Sequence, residues 1–427
     1  MRFKMFKNTV LLFVLIAISC GNKNTLDIKN LENKDQSTAL NITEKGKKSI
    51  IVGANRTDKY LPLLQGKRVG VVANQTSVIF KEKRTKNKKQ RVKKLKYSHL
   101  VDSLLALNIN IKNVFSPEHG FRGTADAGEL IKDGKDTKTG LGIYSLHGKH
   151  KKPTKVQLQD IDIMVFDIQD VGVRFYTYIS TLHYVMEACA EQNIPLLILD
   201  RPNPNGNYID GPTLEKKHNS FLGVHPIPLV HGMTIGEYAK MINGEAWLSD
   251  GITCEITIIE IENYSHKSVY SLPLRPSPNL PNDQSITLYP SLGLFEGTRI
   301  NAGRGTEFQF QRYGAPFLDK NNYKFSYTPI SNFGAKHPKH QNKICFGVDL
   351  SEVKAERHFT LKYIINAYNH ATDKSKFFNT ANFTTHAGTE KLQQQIEAGL
   401  SETEIKTTWK KDLDAYKAMR KAYLLYN

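Results

Sequence analysis

Cysteine is scarce in this sequence: four in 427 residues, at positions 20, 189, 254 and 345, with no CxxC spacing among them. That scarcity excludes a disulfide framework and a zinc site built on paired thiolates. Long apolar runs are missing too, since the run near the N-terminus, Val10 to Ile18, is too short to favour a spanning helix. No GxGxxG follows the first predicted strand and no GxxxxGKS/T occurs anywhere, so a dinucleotide or ATP has no cradle. GxSxG and HExxH are absent as well, which removes the usual signatures of an activated serine or a zinc-dependent hydrolase. Without an internal repeat or a heptad run, solenoids and coiled coils drop out.

Acidic residues are in deficit, 41 against 59 Lys and Arg, for a formal net charge of +18. Such a balance raises nucleic acid as a partner, so the location of the charge matters. Between Lys81 and Lys96 ten Lys or Arg face the single acid Glu82, which puts +9 of the +18 in one segment. The run holds no aromatic residue for base stacking, and no zinc or helix-turn-helix spacing lies nearby. It reads as a solvated loop, with contact to anionic lipid or glycan as the next reading, and nucleic acid is not expected as a partner.

What the chain has in quantity is apolar residues, 40 %, with 19 Tyr and 20 Phe spread along it. This is a globular composition, and the length suits two packed domains. Arg2, Lys4 and Lys7 precede the apolar run, and Ser19 stands directly before Cys20. That order predicts a bacterial lipoprotein signal in residues 1–20, with export and acylation of Cys20; the plainer alternative is an ordinary signal peptide in which Cys20 is incidental. Cys189, Cys254 and Cys345 then read as small buried hydrophobes. Residues 21–48, rich in Asn, Lys, Thr and Glu, are expected to be a flexible membrane tether. Gly-Asn-Lys-Asn after Cys20, rather than a run of acids, favours a periplasm-facing membrane over surface display.

After the tether, apolar runs at Arg68–Ala73, Ile111–Phe115, Ile161–Phe166 and Pro195–Leu199 alternate with stretches of helical spacing at His99–Leu107 and Thr177–Glu191. Alternation of this kind predicts an α/β fold: a Rossmann-like parallel sheet domain over 49–270, bounded by the Pro-rich stretch Pro273 to Pro281. A second, smaller α+β domain over 271–427 is expected to complete the cleft. Helices are predicted over Thr234–Glu245, His358–Ala371, Thr389–Ala398 and Lys411–Leu425, and a strand over Cys254–Ile261; the last helix reads as structural. Parallel strands present their carboxyl ends on one rim, where ligands bind. Each predicted end here is polar: Asn74-Gln75-Thr76, then Ser116 to Gly120, then Asp167 to Asp170, then Asp200 to Asn203.

Glu118 follows the Ser116-Pro117 turn, with Gly120 and Gly123 close behind, so a carboxyl is held on a tight loop at a strand end. Glycosidic cleavage needs a proton on the leaving oxygen and a second group to meet the developing oxocarbenium ion. Asp167, Asp170, Asp200 and Glu296 are candidates for the second group, and a loop pairing with Arg122 is the plain reading of Glu118. His119 and His231 either tune a carboxyl or hydrogen-bond a sugar, or are ordinary structural histidines. Arg174, Arg201 and Arg304 stand in turn contexts where a guanidinium can grip a carboxylate bidentately. Tyr176, Tyr178 and Phe121 flank the expected rim, as core or as a sugar platform. His147 and His150 have no acid or Cys at ligand spacing, so no metal is expected there.

Several longer segments then stand out: FSPEHGFRG (Phe115 to Gly123), FDIQDVGVRFYTYISTL (Phe166 to Leu182), LDRPNPNG (Leu199 to Gly206), HGMTIGE (His231 to Glu237), SPNLP (Ser277 to Pro281) and FEGTRINAGRGT (Phe295 to Thr306). With Gly140 to Tyr144 they make the chain resemble the NamZ/YbbC-type family of exo-acting beta-N-acetylmuramidases from about Gly53 onward. The resemblance implies release of N-acetylmuramic acid from the non-reducing end of peptidoglycan-derived MurNAc-GlcNAc glycans, in cell wall recycling, without a metal or organic cofactor. It implies a catalytic role for Glu118; Asp170 and His119 are expected to act beside it. Asn74, Gln75, Arg122, Asp167, Gln169, Arg174, Tyr176, Asp200, Arg201, His231, Glu296 and Arg304 are expected to line the substrate site. The basic run departs from the family pattern as an insertion beside one strand end. A non-catalytic peptidoglycan-binding lipoprotein is the competing reading.

Overall fold

Runs of β-branched residues with no polar face need cover on both sides. The computed structural model, which describes residues 48–81, 96–123 and 133–427, gives them that cover. Cys20, the signal and tether segments up to 47, and the interior of the basic run lie outside the described residues. In chain order the elements are α1 (Thr57–Leu64), β1 (Arg68–Ala73), β2 (Val78–Lys81), β3 (Lys96–His99), α2 (Leu100–Ala106), β4 (Asn110–Ser116), β5 (Gly134–Lys135), β6 (Gly142–Ser145), α3 (Lys155–Leu158), β7 (Ile163–Asp167), α4 (Tyr178–Glu191) and β8 (Leu196–Leu199). They continue with β9 (Asp210–Thr213), β10 (Pro228–Val230), α5 (Ile235–Gly244), β11 (Ile256–Ile259), α6 (Asp283–Leu292), β12 (Arg312–Ala315), β13 (Phe325–Tyr327) and β14 (Cys345–Asp349). The chain closes on α7 (Lys362–Asn369), α8 (Thr380–Ala387), α9 (Lys391–Glu397), α10 (Glu402–Thr408) and α11 (Lys410–Arg420).

The main sheet runs in the order β11-β8-β7-β1-β4-β6-β5, every pair parallel except β5 with β6. The expected strands therefore form, with ends moved by one or two residues, and β6 and β11 extend the parallel set. Successive side chains of a strand point to opposite faces. Val72, Phe115, Phe166, Leu196 and Ile198 thus join the core under α4, α5 and the C-terminal half, while Val71, Val114, Val165 and Leu197 join the core with Tyr60, Leu64, Leu100 and Leu104. From β1 the chain builds outward through β4 and β6, then returns to the other side of β1 for β7, β8 and β11. This reversal makes a switch point beside β1, where open α/β sheets hold ligands.

Three expectations change. The basic segment is not all loop, because Lys81 pairs with Lys96 at the end of the antiparallel β2–β3 ribbon; the partners are separated by the basic run, so no local alternation betrays them. The final helix stops at Arg420 rather than Leu425, since the Leu425 and Tyr426 amides are drawn to the buried Glu237 carboxylate instead. Likewise α7 starts at Lys362, later than expected, because Glu402 takes hydrogen bonds from Thr360 and Leu361. β12, β14 and β13 form a small antiparallel sheet in the C-terminal half, and the described residues belong to one compact unit, 40–427. Cys189, Cys254 and Cys345 are buried thiols.

Candidate active site

The residue after β4 is Pro117, and Gly120 N–H closes a turn onto its carbonyl at 3.1 Å. His119 and Gly120 both take positive φ, 73° and 78°, which throws the loop back across the sheet end. A non-glycine residue held in that region is uncommon and tends to mark a functional turn. Gly123, also left-handed, lies so close to the Gln75 side chain that a Cβ there would sit 2.8 Å from it. The SPEHG loop is thereby docked onto the end of β1. Glu118 is half-buried, and its Oε2 accepts a hydrogen bond from Thr177 Oγ1 at 3.3 Å, at the head of α4.

The β7 end contributes Asp170. Its Oδ2 accepts the Gly172 N–H at 2.6 Å and lies 3.5 Å from His231 Nε2, whereas Oδ1 is buried with no hydrogen-bond partner among the described residues. Buried polar atoms are ordinarily satisfied. Asn74 Nδ2 and the Tyr178 hydroxyl are also buried, and the two face each other. Tyr178 and Tyr289 locate the centre of the site. Burial pushes both hydroxyls well up, and Glu118 and Asp170 add to the shift at each; at Tyr289, Arg304 opposes it and Glu296 adds to it. The Tyr289 ring is fixed by edge contacts with Phe175 and Phe310 at 5.3 and 4.8 Å, and Arg304 lies 5.2 Å over Phe310.

Arg304 meets Glu296 through Nε and Nη2 at 3.2 and 3.1 Å, with both side chains about a quarter exposed. Burial would raise the Glu296 carboxyl, but Arg304 and Lys339 hold it below its ordinary value. Four carboxyl and guanidinium side chains from distant segments, Glu118, Asp170, Glu296 and Arg304, thus act on one tyrosine. Such a gathering provides two carboxylates for proton transfer and charge stabilisation, and a cation for an anionic substituent.

Other expected site residues serve the scaffold. Arg174 is fully buried, and its guanidinium donates to the carbonyls of Pro212, Ile227, His386 and Ala387 at 2.6 to 3.1 Å. Carbonyls rather than an acid meet it, and it has no exposed surface with which to grip a substrate carboxylate, which corrects that expectation. Arg201 spends its fork on Asp167 at 2.6 and 3.0 Å, both side chains buried; burial pushes the Asp167 carboxyl up, and Arg201 opposes the shift. Asp200 takes donors from the Arg201 and Gly236 amides and from the Thr234 and Tyr426 hydroxyls. Burial raises it to about 6, and these bonds pull the other way. Arg122 pairs with Asp102 and Asp136, not with the Glu118 carboxylate as its plain reading had it. Gln75 and Tyr176 both donate to the Pro276 carbonyl, at 3.0 and 2.7 Å, tying the residue just before the SPNLP segment to the rim. Gln169 donates to the Asp170 and Pro202 carbonyls.

Thr177 and Tyr289 went unnoticed in the sequence. Tyr289 stands on a helical apolar stripe and reads as core; Thr177 is an unremarkable hydroxyl until the fold sets it against Glu118. Two open hollows of about 680 and 820 Å³ lie along α8, the first lined by Thr298, Arg299, Lys339, His340 and Phe378. Neither includes Glu118 or Asp170, and the strand-end chemistry is the stronger guide to the site. No three His, Cys, Asp or Glu side chains among the described residues stand together as metal ligands would.

Comparisons with known proteins bear on this geometry. The N-terminal model of exo-beta-N-acetylmuramidase NamZ matches residues 69–284, and the C-terminal model matches 287–426. A curated relative, peptidoglycan beta-N-acetylmuramidase NamZ of Bacillus subtilis (strain 168), is 38% identical over 386 residues, covering 86% of this chain and 89% of that one. Two crystal structures of DUF1343 family proteins from Bacteroides fragilis NCTC 9343 are similar. One, at 1.30 Å resolution, is 44% identical with a TM-score of 0.78 and covers 89% of this chain and 99% of its own. The other is 28% identical with a TM-score of 0.72, covering 88% and 99%.

Proposed function

The chain belongs to the exo-beta-N-acetylmuramidase NamZ family, matching its models in both halves, and on that premise we propose that Glu118 and Asp170 cleave the bond that frees a terminal N-acetylmuramic acid. The protein is a glycoside hydrolase acting on peptidoglycan-derived glycans, releasing the sugar from the non-reducing end. The observation that carries the residue assignment is the convergence of Glu118, from the β4 end, and Asp170, from the β7 end, on either side of β1 at the switch point.

Cleavage of a glycosidic bond needs a proton delivered as the C–O bond breaks, and negative charge facing the oxocarbenium-like carbon. Glu118, half-buried on its rigid turn and hydrogen-bonded by Thr177, is the proton donor. Asp170 is the second group, its Oδ2 held by Gly172 and its Oδ1 left for chemistry. His119 supports Glu118 from the next position of the turn. Of the three arginines singled out, Arg174 and Arg201 are spent inside the fold. Arg304, partly exposed and beside the same tyrosine, is the one to meet the lactyl carboxylate of muramic acid.

The test is mass-spectrometric detection of free N-acetylmuramic acid from a MurNAc-GlcNAc disaccharide, with wild type and a folded Glu118→Gln variant in parallel. Release by wild type and none by the variant is the expected result. A wild type that binds the disaccharide without releasing sugar would make the protein a binding module, and an active variant would move the search to Asp170. The chain is further assigned an exported, membrane-anchored location through acylated Cys20, supported by Ser19-Cys20 behind a basic and apolar leader. Metabolic labelling with an alkyne fatty acid, lost in Cys20→Ala, tests that assignment.

A further inference from the structure

The C-terminal segment looks like scaffold until its hydrogen bonds are followed. Tyr416, on α11, donates its hydroxyl to the backbone carbonyl of His231 at 2.9 Å, and Arg420 Nε donates to the next carbonyl, Gly232, at 3.1 Å. The two residues they grip form a left-handed corner, with Gly232 at φ 66°. The corner also fixes its own imidazole: His231 Nδ1 accepts the Met233 N–H at 3.2 Å, so the ring proton sits on Nε2, which makes no hydrogen bond among the described residues and lies 3.5 Å from Asp170 Oδ2. On the other side, Val173 bridges Val230, and His231 N–H reaches the Gly172 carbonyl, so the Asp170 turn and the His231 corner are laced together. Asp170, Gly172, His231 and Tyr416 are all buried, and Arg420 is partly exposed at the edge of this group.

From this chain of contacts we infer that Tyr416 is a positioning residue of the active site, setting through His231 the orientation of the Asp170 carboxylate. The inference rests on the assignment of Asp170 as the second catalytic group. Its physical basis is that a carboxylate with one oxygen bonded to Gly172 can still swing about its side-chain torsions, and electrostatic attraction to the fixed imidazole N–H 3.5 Å away narrows that swing without a hydrogen bond. The imidazole can do so only if its own backbone is held. Tyr416 and Arg420 hold it from 185 and 188 residues away in sequence.

Tyr416→Phe keeps the buried ring and removes only the hydroxyl. With the MurNAc-GlcNAc disaccharide it is expected to lower kcat by roughly ten-fold while KM stays within about two-fold, because the lost interaction acts on the reacting group and not on substrate uptake. In a His231→Gln background the same change is expected to add nothing, since the relay is already cut. Tyr426→Phe, on the same segment but bonded to Asp200, is the folding control: it is expected to lower thermal stability with kcat kept. The inference is overturned if Tyr416→Phe retains full kcat, if its effect multiplies with that of His231→Gln, or if both tyrosine variants lose kcat in proportion to stability. A wild type that releases no sugar sinks the functional reading itself, and the inference with it; that outcome is distinct because it appears before any variant is compared.

Discussion

Replacing Arg174 separates a residue that touches substrate from one that holds the fold. Its guanidinium is buried with Gly223 against its stem and Gly388 against its head, and it satisfies four carbonyls drawn from Pro212, Ile227 and the end of α8. Arg174→Leu removes that donor from all four, and the carbonyls of Pro212, His386 and Ala387 lose their partner while Ile227 keeps the Leu214 N–H. At about 1 kcal/mol or more for each of the three unmet acceptors, the loss is roughly 3 kcal/mol before any repacking, a large part of the stability of an ordinary domain. Arg174→Lys restores a charge but not the planar fork, so about half of that loss should persist. Urea unfolding followed by tryptophan fluorescence should show the Leu variant's midpoint lowered by roughly 1 M or more, with Lys in between. Residual folded enzyme should keep the wild-type KM for a muramyl substrate. A variant that unfolds at the wild-type midpoint yet shows a KM raised ten-fold or more would refute this account, because it would mean that the guanidinium reaches the lactyl carboxylate.

Gly123→Ala should cut kcat/KM by at least about ten-fold with little change in melting temperature, since a Cβ at φ 74° and against Gln75 must displace the loop that carries Glu118; circular dichroism and sugar release together check it. Asp136 is drawn down to about 2: burial alone would raise it, but Arg122 and Thr139 outweigh that. Its folded pKa lies below the unfolded one, so its stabilisation is present above about pH 4 and is lost as pH falls towards 2. Asp136→Asn should therefore flatten acid unfolding over that range in a pH series of melting curves. His99 is depressed to about 4, chiefly by burial. For a base the sign reverses: the unfolded chain takes up the proton first, so stability falls as pH drops from about 6.5 to 4, and His99→Gln should remove that slope. Arg304→Lys should raise KM for muramyl substrates several-fold more than for analogues lacking the lactyl carboxylate, with competition by free lactate as the check.

The strand runs and the polar residues at their ends were legible because they are local properties. Arg68 to Ala73 is β-branched on both faces, a pattern that only a covered parallel strand satisfies, and Pro117, Gly120 and Gly123 bracket Glu118 with residues whose backbone preferences are their own. Parallel pairing then brings the ends of β1, β4 and β7 to one rim whatever the loops do. The fate of each charged side chain was not legible. Arg174 and Arg304 stand in similar turns, but Arg174 is met by carbonyls more than 200 residues further along the chain, whereas Arg304 is met by Glu296, eight positions earlier, and stays at the surface of the site. Asp200 and Arg201 look like rim residues at a strand end, and became interior hubs because Tyr426 and Asp167 arrived to bond them.

Sequence alone therefore determined what depends on periodicity and backbone preference: the α/β class, the strand-end rim and the loop that holds Glu118. Only the tertiary structure decided which of the rim's ionisable groups face one another, that Asp170 is steadied through His231 by the last helix, and that Tyr289 lies among four charged groups. The physical reason is that burial and partner choice are set by segments far apart in the chain. Local spacing carries no record of what the rest of the fold will bring alongside.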